Sequence, residues 1–325
     1  MGEIKVSIGT AAVLGLEHIQ TAAAPTTAYL MLGGRCSLNC AFCAQARESK
    51  AGAMNLSRVS WPPFPEEEVL RRLAEASKRG EIKRCCLQVT VAGDYFRRTL
   101  ELVRAIKRAC NLPVDAALLP RDIIQVDELL CSGVEHIGFG LDAVCERVFR
   151  RTKGGRWHRT MALIEEMARR FPGRAAVHLI VGLGETEREM VEMVQRMHDL
   201  GVTIGLFAFT PVRGTMMEDV PPPPLSTYRR MQAASYLISH DLARAESFAF
   251  SPEGRLLSFN LPNLSKLLAE GEAFRTSGCP DCNRPFYNER PGGVMYNYPR
   301  PLTSEEAEVA LKEMWEAASG QLKAD

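Results

Sequence analysis

The sequence carries no surplus of charge of either sign: 40 Lys and Arg stand against 39 Asp and Glu in 325 residues. A protein that neutralises the phosphates of nucleic acid needs a basic excess, so the balance argues against nucleic acid as a partner. No apolar stretch approaches the ~20 residues that span a bilayer, which argues against a membrane protein. Nor is there a convincing secretory leader. The mildly apolar run after Lys5 is interrupted by Ser7, Gly9 and Thr10 and stops at Glu17, although Ala22, Ala23 and Ala24 imitate a small-residue cleavage site. The chain therefore reads as cytoplasmic. Ten cysteines are too sparse for a disulfide scaffold at this length, and clustered cysteines in an intracellular enzyme more often hold metal or do chemistry. Low complexity is confined to the four prolines at 221–224, read as a stiff turn rather than as a ligand for a proline-binding module.

What is present is an alternation. Residues 26–32 (TTAYLML) read as a strand stopped by Gly33 and Gly34. Pro65 and Glu66, Glu67, Glu68 open a helix that closes on Lys78, Arg79 and Gly80, the asymmetry that a helix dipole favours. Strands follow near 82–90, 114–119, 135–141, 175–181 and 203–209, with helices near 95–110, 121–131 and 159–171 between them. Thr186 and Glu189 form a capping box for a helix that puts Met190, Val194 and Met197 on one face and ends at Gly201. Six strands with helical connections predict an α/β fold of right-handed βαβ units, a partial or complete parallel βα barrel of the TIM type. The boundaries are an N-terminal segment 1–25, a barrel core 26–245 and an irregular C-terminal extension 246–325. A helix near 228–240 follows the prolines, and a last amphipathic helix runs from Ser304 to about Ala318.

Cys36-Ser-Leu-Asn-Cys40-Ala-Phe-Cys43 places three thiolates within eight residues of the loop after the first strand. In parallel α/β folds that end of the strands carries the ligands. Three cysteines without a near fourth fit a cubane iron-sulfur cluster that keeps one iron open to a substrate or cofactor. A zinc site lacking its fourth ligand, or unrelated thiols on a turn, are the alternatives.

This spacing, with an aromatic residue just before the third cysteine, resembles the motif of the radical S-adenosylmethionine (SAM) enzymes. The resemblance implies that a 4Fe-4S cluster held by Cys36, Cys40 and Cys43 chelates SAM and reduces it to methionine and a 5′-deoxyadenosyl radical, with Phe42 near the adenine. It also implies an adenine-binding segment at Gly182 and Gly184, with Ile180 facing the same ligand, and a ribose-binding acid at Asp142. Many members carry Gly-Gly-Glu after the second strand, where this chain has Val89-Thr-Val-Ala-Gly-Asp94. Which groups hold the methionine moiety is left open by that departure.

A second cysteine pair, Cys279 and Cys282, sits in a stretch rich in Gly, Pro and Asn, a composition that suits a ligating loop. Two cysteines do not fill a cluster, and Cys86 is the first choice for a third ligand. Its neighbour Cys85 points to the opposite face by strand alternation. The alternatives to a second 4Fe-4S cluster are a small zinc knuckle or free thiols. Biotin synthase is similar in placing a cluster cysteine at the position of Cys86, but its counterpart on the fifth strand falls near Ala176. The core together with Cys279-Pro-Asp-Cys282 and the following Asn283-Arg-Pro-Phe-Tyr-Asn-Glu-Arg-Pro291 resembles one subunit of the two-protein lipoyl synthases. That resemblance implies sulfur insertion into an octanoyl chain on a lipoyl-carrier protein, a second synthase subunit and an electron donor as partners, and a second cluster consumed as sulfur source. His178 shares the face of Ile180 and reads equally as a core histidine or a substrate contact. Cys110, Cys131 and Cys145 read as small packing residues.

Overall fold

The computed structural model describes residues 2–289 and 293–316. Eight strands form one sheet: β1 (Glu3–Val6), β2 (Thr27–Leu32), β3 (Pro63–Pro65), β4 (Arg84–Val89), β5 (Val114–Ala117), β6 (Val134–Asp142), β7 (Ala175–Val181) and β8 (Thr203–Ala208), in the spatial order β8-β7-β6-β5-β4-β2-β1-β3. The six strands expected from the alternation pair in parallel throughout. Among the described residues no pairing joins β8 to β3.

The eight main helices are α1 (Glu66–Lys78), α2 (Tyr95–Ala109), α3 (Ile123–Cys131), α4 (Glu146–Thr152), α5 (Trp157–Arg170), α6 (Glu187–Asp199), α7 (Leu225–Ser239) and α8 (Ser304–Glu313). Their ends follow local chemistry. Three acids in the first turn of α1 and Lys78 in its last complement the dipole, and Gly80 leaves at φ 73°. The Thr186–Glu189 capping box of α6 is formed in both directions. Pro224 delivers the chain to α7 in an extended conformation, φ −52° and ψ 139°, as a stiff turn does.

Three features depart from the pattern read above. Strands β1 and β3 add an antiparallel edge beside β2; at four and three residues, neither has an alternation long enough to be legible, and the prolines of β3 suit an edge. Helix α4 is too short to show a period. Cys131 is exposed where α3 ends, whereas Cys110 and Cys145 are half-buried against the core. Of the expected last helix, Ser304–Glu313 is formed and residues 317–318 lie outside the described ones.

Strand alternation sorts the side chains into two environments. Ala28, Leu30, Leu32, Cys85 and Leu87 enter the main core between sheet and helices, while Tyr29, Met31 and Cys86 face the opposite way. After α7 the chain makes a small hairpin (Ala249–Phe250 with Leu256–Ser258) and returns to the sheet as an irregular loop. There Thr26 and Thr27 donate their hydroxyls to Asp281 O at 2.6 and 2.9 Å, Arg84 Nε donates to Pro280 O at 3.0 Å, and Leu206 N donates to Ser277 Oγ at 2.9 Å. The second cysteine pair is thereby fastened to the N-terminal ends of β2 and β4.

Candidate radical SAM site

Inward-facing residues of all six parallel strands line one cavity of about 420 Å³, within the size range of small-molecule sites. Tyr29, Cys86, Asp115, Asp142, His178, Ile180 and Phe207 form its wall, with Cys36, Cys40, Phe42 and Cys43 at one end and Cys279 and Cys282 at the other. Both cysteine sets, although more than two hundred residues apart in sequence, therefore open onto the same space.

The first cysteine loop is held by its own backbone and by neighbours. Cys36 N donates to Gln45 O (2.8 Å), Ser37 N to Val91 O (2.8 Å), Ala41 N to Thr152 O (2.6 Å) and Cys43 N to Cys40 O (3.1 Å). Thr90, within the segment that replaces Gly-Gly-Glu, donates its hydroxyl to Leu32 O and Gly34 O at 3.1 and 2.8 Å, and so braces the loop. Asp94 is spent as the N-cap of α2.

Burial pushes the Cys43 thiol up to about 12 and raises Cys40, against the pull of the nearby Lys153 ammonium. A thiophilic metal centre is what converts such buried thiols to thiolates. Among the described residues, ligand atoms within 4.8 Å of one another occur at Asp115, His136 and Cys279, not at the loop.

Asp142 ends β6 at φ 62°, and its Oδ2 lies 2.5 Å from Lys153 Nζ. Burial alone would lower the Lys153 pKa, but the Asp142 carboxylate and the Cys40 and Cys43 sulfurs outweigh it and hold the group above its ordinary value. Ile180 lines the cavity, whereas Gly182 and Gly184 are not among its lining residues. They form a tight turn at its rim: Gly182 N and Leu183 N donate to the Glu185 carboxylate at 2.6 and 3.0 Å. At φ 103°, a Cβ on Gly182 would stand 3.0 Å from Pro223.

At the far end Gln88 Nε2 donates to Cys86 Sγ at 3.2 Å, and the Tyr29 hydroxyl is 3.4 Å from Cys282 Sγ. Burial raises the Cys86 and Cys279 thiols, and each is raised further by Asp115 and by the other cysteines there. Arg284 is enclosed beside them, stacked 3.9 Å over the Phe207 ring and bonded through Nη2 to Ser277 O at 2.7 Å. No carboxylate pairs with it among the described residues, which suits an anionic occupant of this end. His178 stands between the two ends against Phe207, ring centroids 5.3 Å apart, and burial lowers its pKa to about 4. Lys153, Arg284 and Asp115 went unread in the sequence: Lys153 and Asp115 sit in no short motif, and Arg284, although inside the stretch after Cys282, becomes special only through its contacts with Phe207 and Ser277.

A curved, mostly parallel sheet with a three-cysteine loop beyond its first parallel strand defines a class, and comparison with known proteins agrees. Residues 30–197 match the Radical SAM superfamily, and the chain belongs to that family, whose members use a 4Fe-4S cluster and SAM. It is 26% identical over 217 residues to a biotin synthase of Synechococcus sp. (strain JA-3-3Ab), covering 63% of this chain and 66% of that protein. It is 26% identical over 193 residues to a lipoyl synthase of Chlorobaculum tepidum, covering 56% and 62%. The chain thus matches less than two thirds of the length of these curated relatives. Among solved structures, methylornithine synthase (PylB) superposes with a TM-score of 0.50 at 14% identity, covering 71% of this chain and 67% of that one. The FeFe-hydrogenase maturase HydG from Carboxydothermus hydrogenoformans has a TM-score of 0.50 at 14% identity, covering 66% and 51%. Those two likenesses concern the fold.

Proposed function

We propose that this radical SAM enzyme inserts sulfur into an unactivated C–H bond of an octanoyl chain carried on a lipoyl-carrier protein. The observation that carries this reading is the shared cavity: Cys36, Cys40 and Cys43 open onto one end of it, and Cys86, Cys279 and Cys282 onto the other. When bound, a 4Fe-4S cluster at the first set supplies the electron that cleaves SAM to a hydrogen-abstracting radical, and a cluster at the second set supplies sulfur.

The residues between the two ends suit an alkyl chain. Met31, Val89, Leu118 and Phe207 give the cavity apolar walls, and an alkyl C–H bond offers no acidity for a side-chain base to exploit. The chain's own part is to bind the substrate, to orient it and to keep water from a reactive carbon. In this reading Phe42 and Ile180 flank the adenine and Asp142 takes the ribose hydroxyls, while Gly182 and Gly184 shape the rim rather than the wall. The C-terminal loop, Cys279 to Asn283, is the sulfur-donor element, and a second synthase subunit and an electron donor complete the system.

The test is mass spectrometry of an octanoyl-lysine carrier after anaerobic incubation with SAM, reductant and protein reconstituted with heavy sulfide. Heavy sulfur in the octanoyl chain supports the reading, and a single inserted sulfur counts in its favour. Robust SAM cleavage with a sulfur-free octanoyl product, partner subunit included, overturns it in favour of another radical SAM reaction, such as biotin-type insertion into a free small molecule. No SAM cleavage at all points to an iron-sulfur electron carrier.

A further inference from the structure

Three thiols leave one corner of a four-iron cluster without a protein thiolate, and the nearest further cysteine is no help, since Cys85 faces the helices. The row of side chains across the sheet supplies a different group. Register pairs Tyr29 with Cys86, Cys86 with Asp115, and Asp115 with His136 on four adjacent parallel strands. Asp115 is only 4% exposed yet lines the cavity beside Cys86, Cys279 and Cys282. Its ligand oxygen, Cys279 Sγ and a His136 ring nitrogen lie within 4.8 Å of one another.

We propose that Asp115 is the fourth protein ligand of the second cluster, an inference that rests on the two-cluster reading above. Asp115 Oδ1 accepts from Arg84 Nη1 at 2.8 Å and lies 2.9 Å from His136 Nδ1. A carboxylate has two oxygens and about four acceptor positions, so these contacts orient the group without exhausting it. The remaining contact is with the Cys279 thiol. That bond exists only while the sulfur keeps its proton, and metal binding to Cys279 releases it.

His136 is the weaker candidate: it lies one strand farther from Cys86 and is not among the residues that line the cavity. A single divalent cation held by Asp115, His136 and Cys279 is also disfavoured. Arg84 Nη1 stands 2.8 Å from Asp115 and 2.9 Å from Glu135, so such an ion would face a buried guanidinium. A thiolate-bound cluster carries net negative charge and gains from both Arg84 and Arg284. A carboxylate is a harder and more labile iron ligand than a thiolate, which makes this corner the exchangeable one.

The test uses the full chain with Cys36→Ala, Cys40→Ala and Cys43→Ala, so that only the second cluster remains, reconstituted anaerobically with a Mössbauer-active iron isotope and sulfide. The expected spectrum shows about one iron in four in a distinct, non-thiolate environment. Asp115→Cys should keep the iron and make the sites alike. Asp115→Ala should lose about one iron in four and show a three-iron EPR signal on oxidation, and His136→Ala should change neither. If Asp115→Ala does not fold because Arg84 and His136 lose their buried partner, Asp115→Cys decides. Parent spectra and iron content retained in the Asp115 variants would overturn the assignment while leaving the second cluster intact. A parent that binds zinc or no iron would overturn the second cluster itself, and Asp115 with it, before any change at Asp115 is made.

Discussion

Lys153 reaches back from the end of α4 to Asp142 at the end of β6, Nζ to Oδ2 2.5 Å, with both side chains no more than 14% exposed. The pair stands over the first cysteine loop, and the Lys153 charge acts on Cys40 and Cys43 as well as on Asp142. An ammonium held beside two sulfurs proposed to bind a cluster would offset their negative charge, and the same ammonium occupies the carboxylate proposed to receive the SAM ribose.

Breaking that pair should show both roles. Lys153→Met leaves a buried carboxylate without a partner and should lower unfolding stability by about 3 kcal/mol, read as a shift in denaturant midpoint. Adding Asp142→Leu should restore most of the loss. Asp142→Asn should weaken SAM binding by roughly tenfold or more, the worth of a hydrogen bond to a charged acceptor, measured by equilibrium dialysis on the reconstituted protein.

The two cysteine sets should separate cleanly. Any one of Cys36→Ala, Cys40→Ala or Cys43→Ala should abolish 5′-deoxyadenosine formation. Cys279→Ala with Cys282→Ala should spare it, end sulfur transfer, and reduce bound iron by about one cluster's worth. Unchanged iron together with zinc in the wild type would favour a zinc knuckle at the C-terminal loop.

His178 predicts an acid-side loss of stability. Its folded pKa of about 4 lies below the unfolded value of 6.5, so below pH 6.5 the unfolded chain binds a proton that the folded chain refuses. The contribution is complete above pH 6.5 and is lost as pH falls toward 4, amounting to roughly 2–3 kcal/mol. Denaturant unfolding between pH 7 and 4.5 should be steeper in pH for the wild type than for His178→Gln. Equal slopes would show that the imidazole carries no such linkage.

Thr186→Ala should cost about 1 kcal/mol by removing the side-chain half of the α6 capping box. Thermal unfolding measures it, and because Thr186 lies outside the cavity lining, SAM cleavage should persist at permissive temperature.

How much of this was legible in the sequence differs by element. The six parallel strands, α1 and α6 were readable because hydrophobic period, end charges and caps are local quantities, fixed by residues three or four apart. The edge strands β1 and β3 were not, since three or four residues carry too little pattern and their pairing, β1 on β2 and β3 on β1, is settled by tertiary neighbours. Gly182 and Gly184 stand at the end of β7, where the sequence placed the segment, but the bond from Gly182 N to Glu185 and the approach of Pro223 come from the fold.

The sequence by itself determined that Cys36, Cys40 and Cys43 share one loop, because they lie within eight residues, while the bonds from Val91, Thr152 and Thr90 that hold the loop come from the fold. It also determined that Cys85 and Cys86 face opposite ways, since strand geometry alternates side chains. Only the tertiary structure decided that Cys279 and Cys282 meet Cys86, that Asp115 stands in register beside it, and that Lys153 and Arg284 are enclosed in the same cavity. Those neighbours are brought together by sheet curvature and by the hydrogen bonds of Thr27 and Arg84 to the returning loop. No local pattern encodes contacts made across two hundred residues of intervening chain.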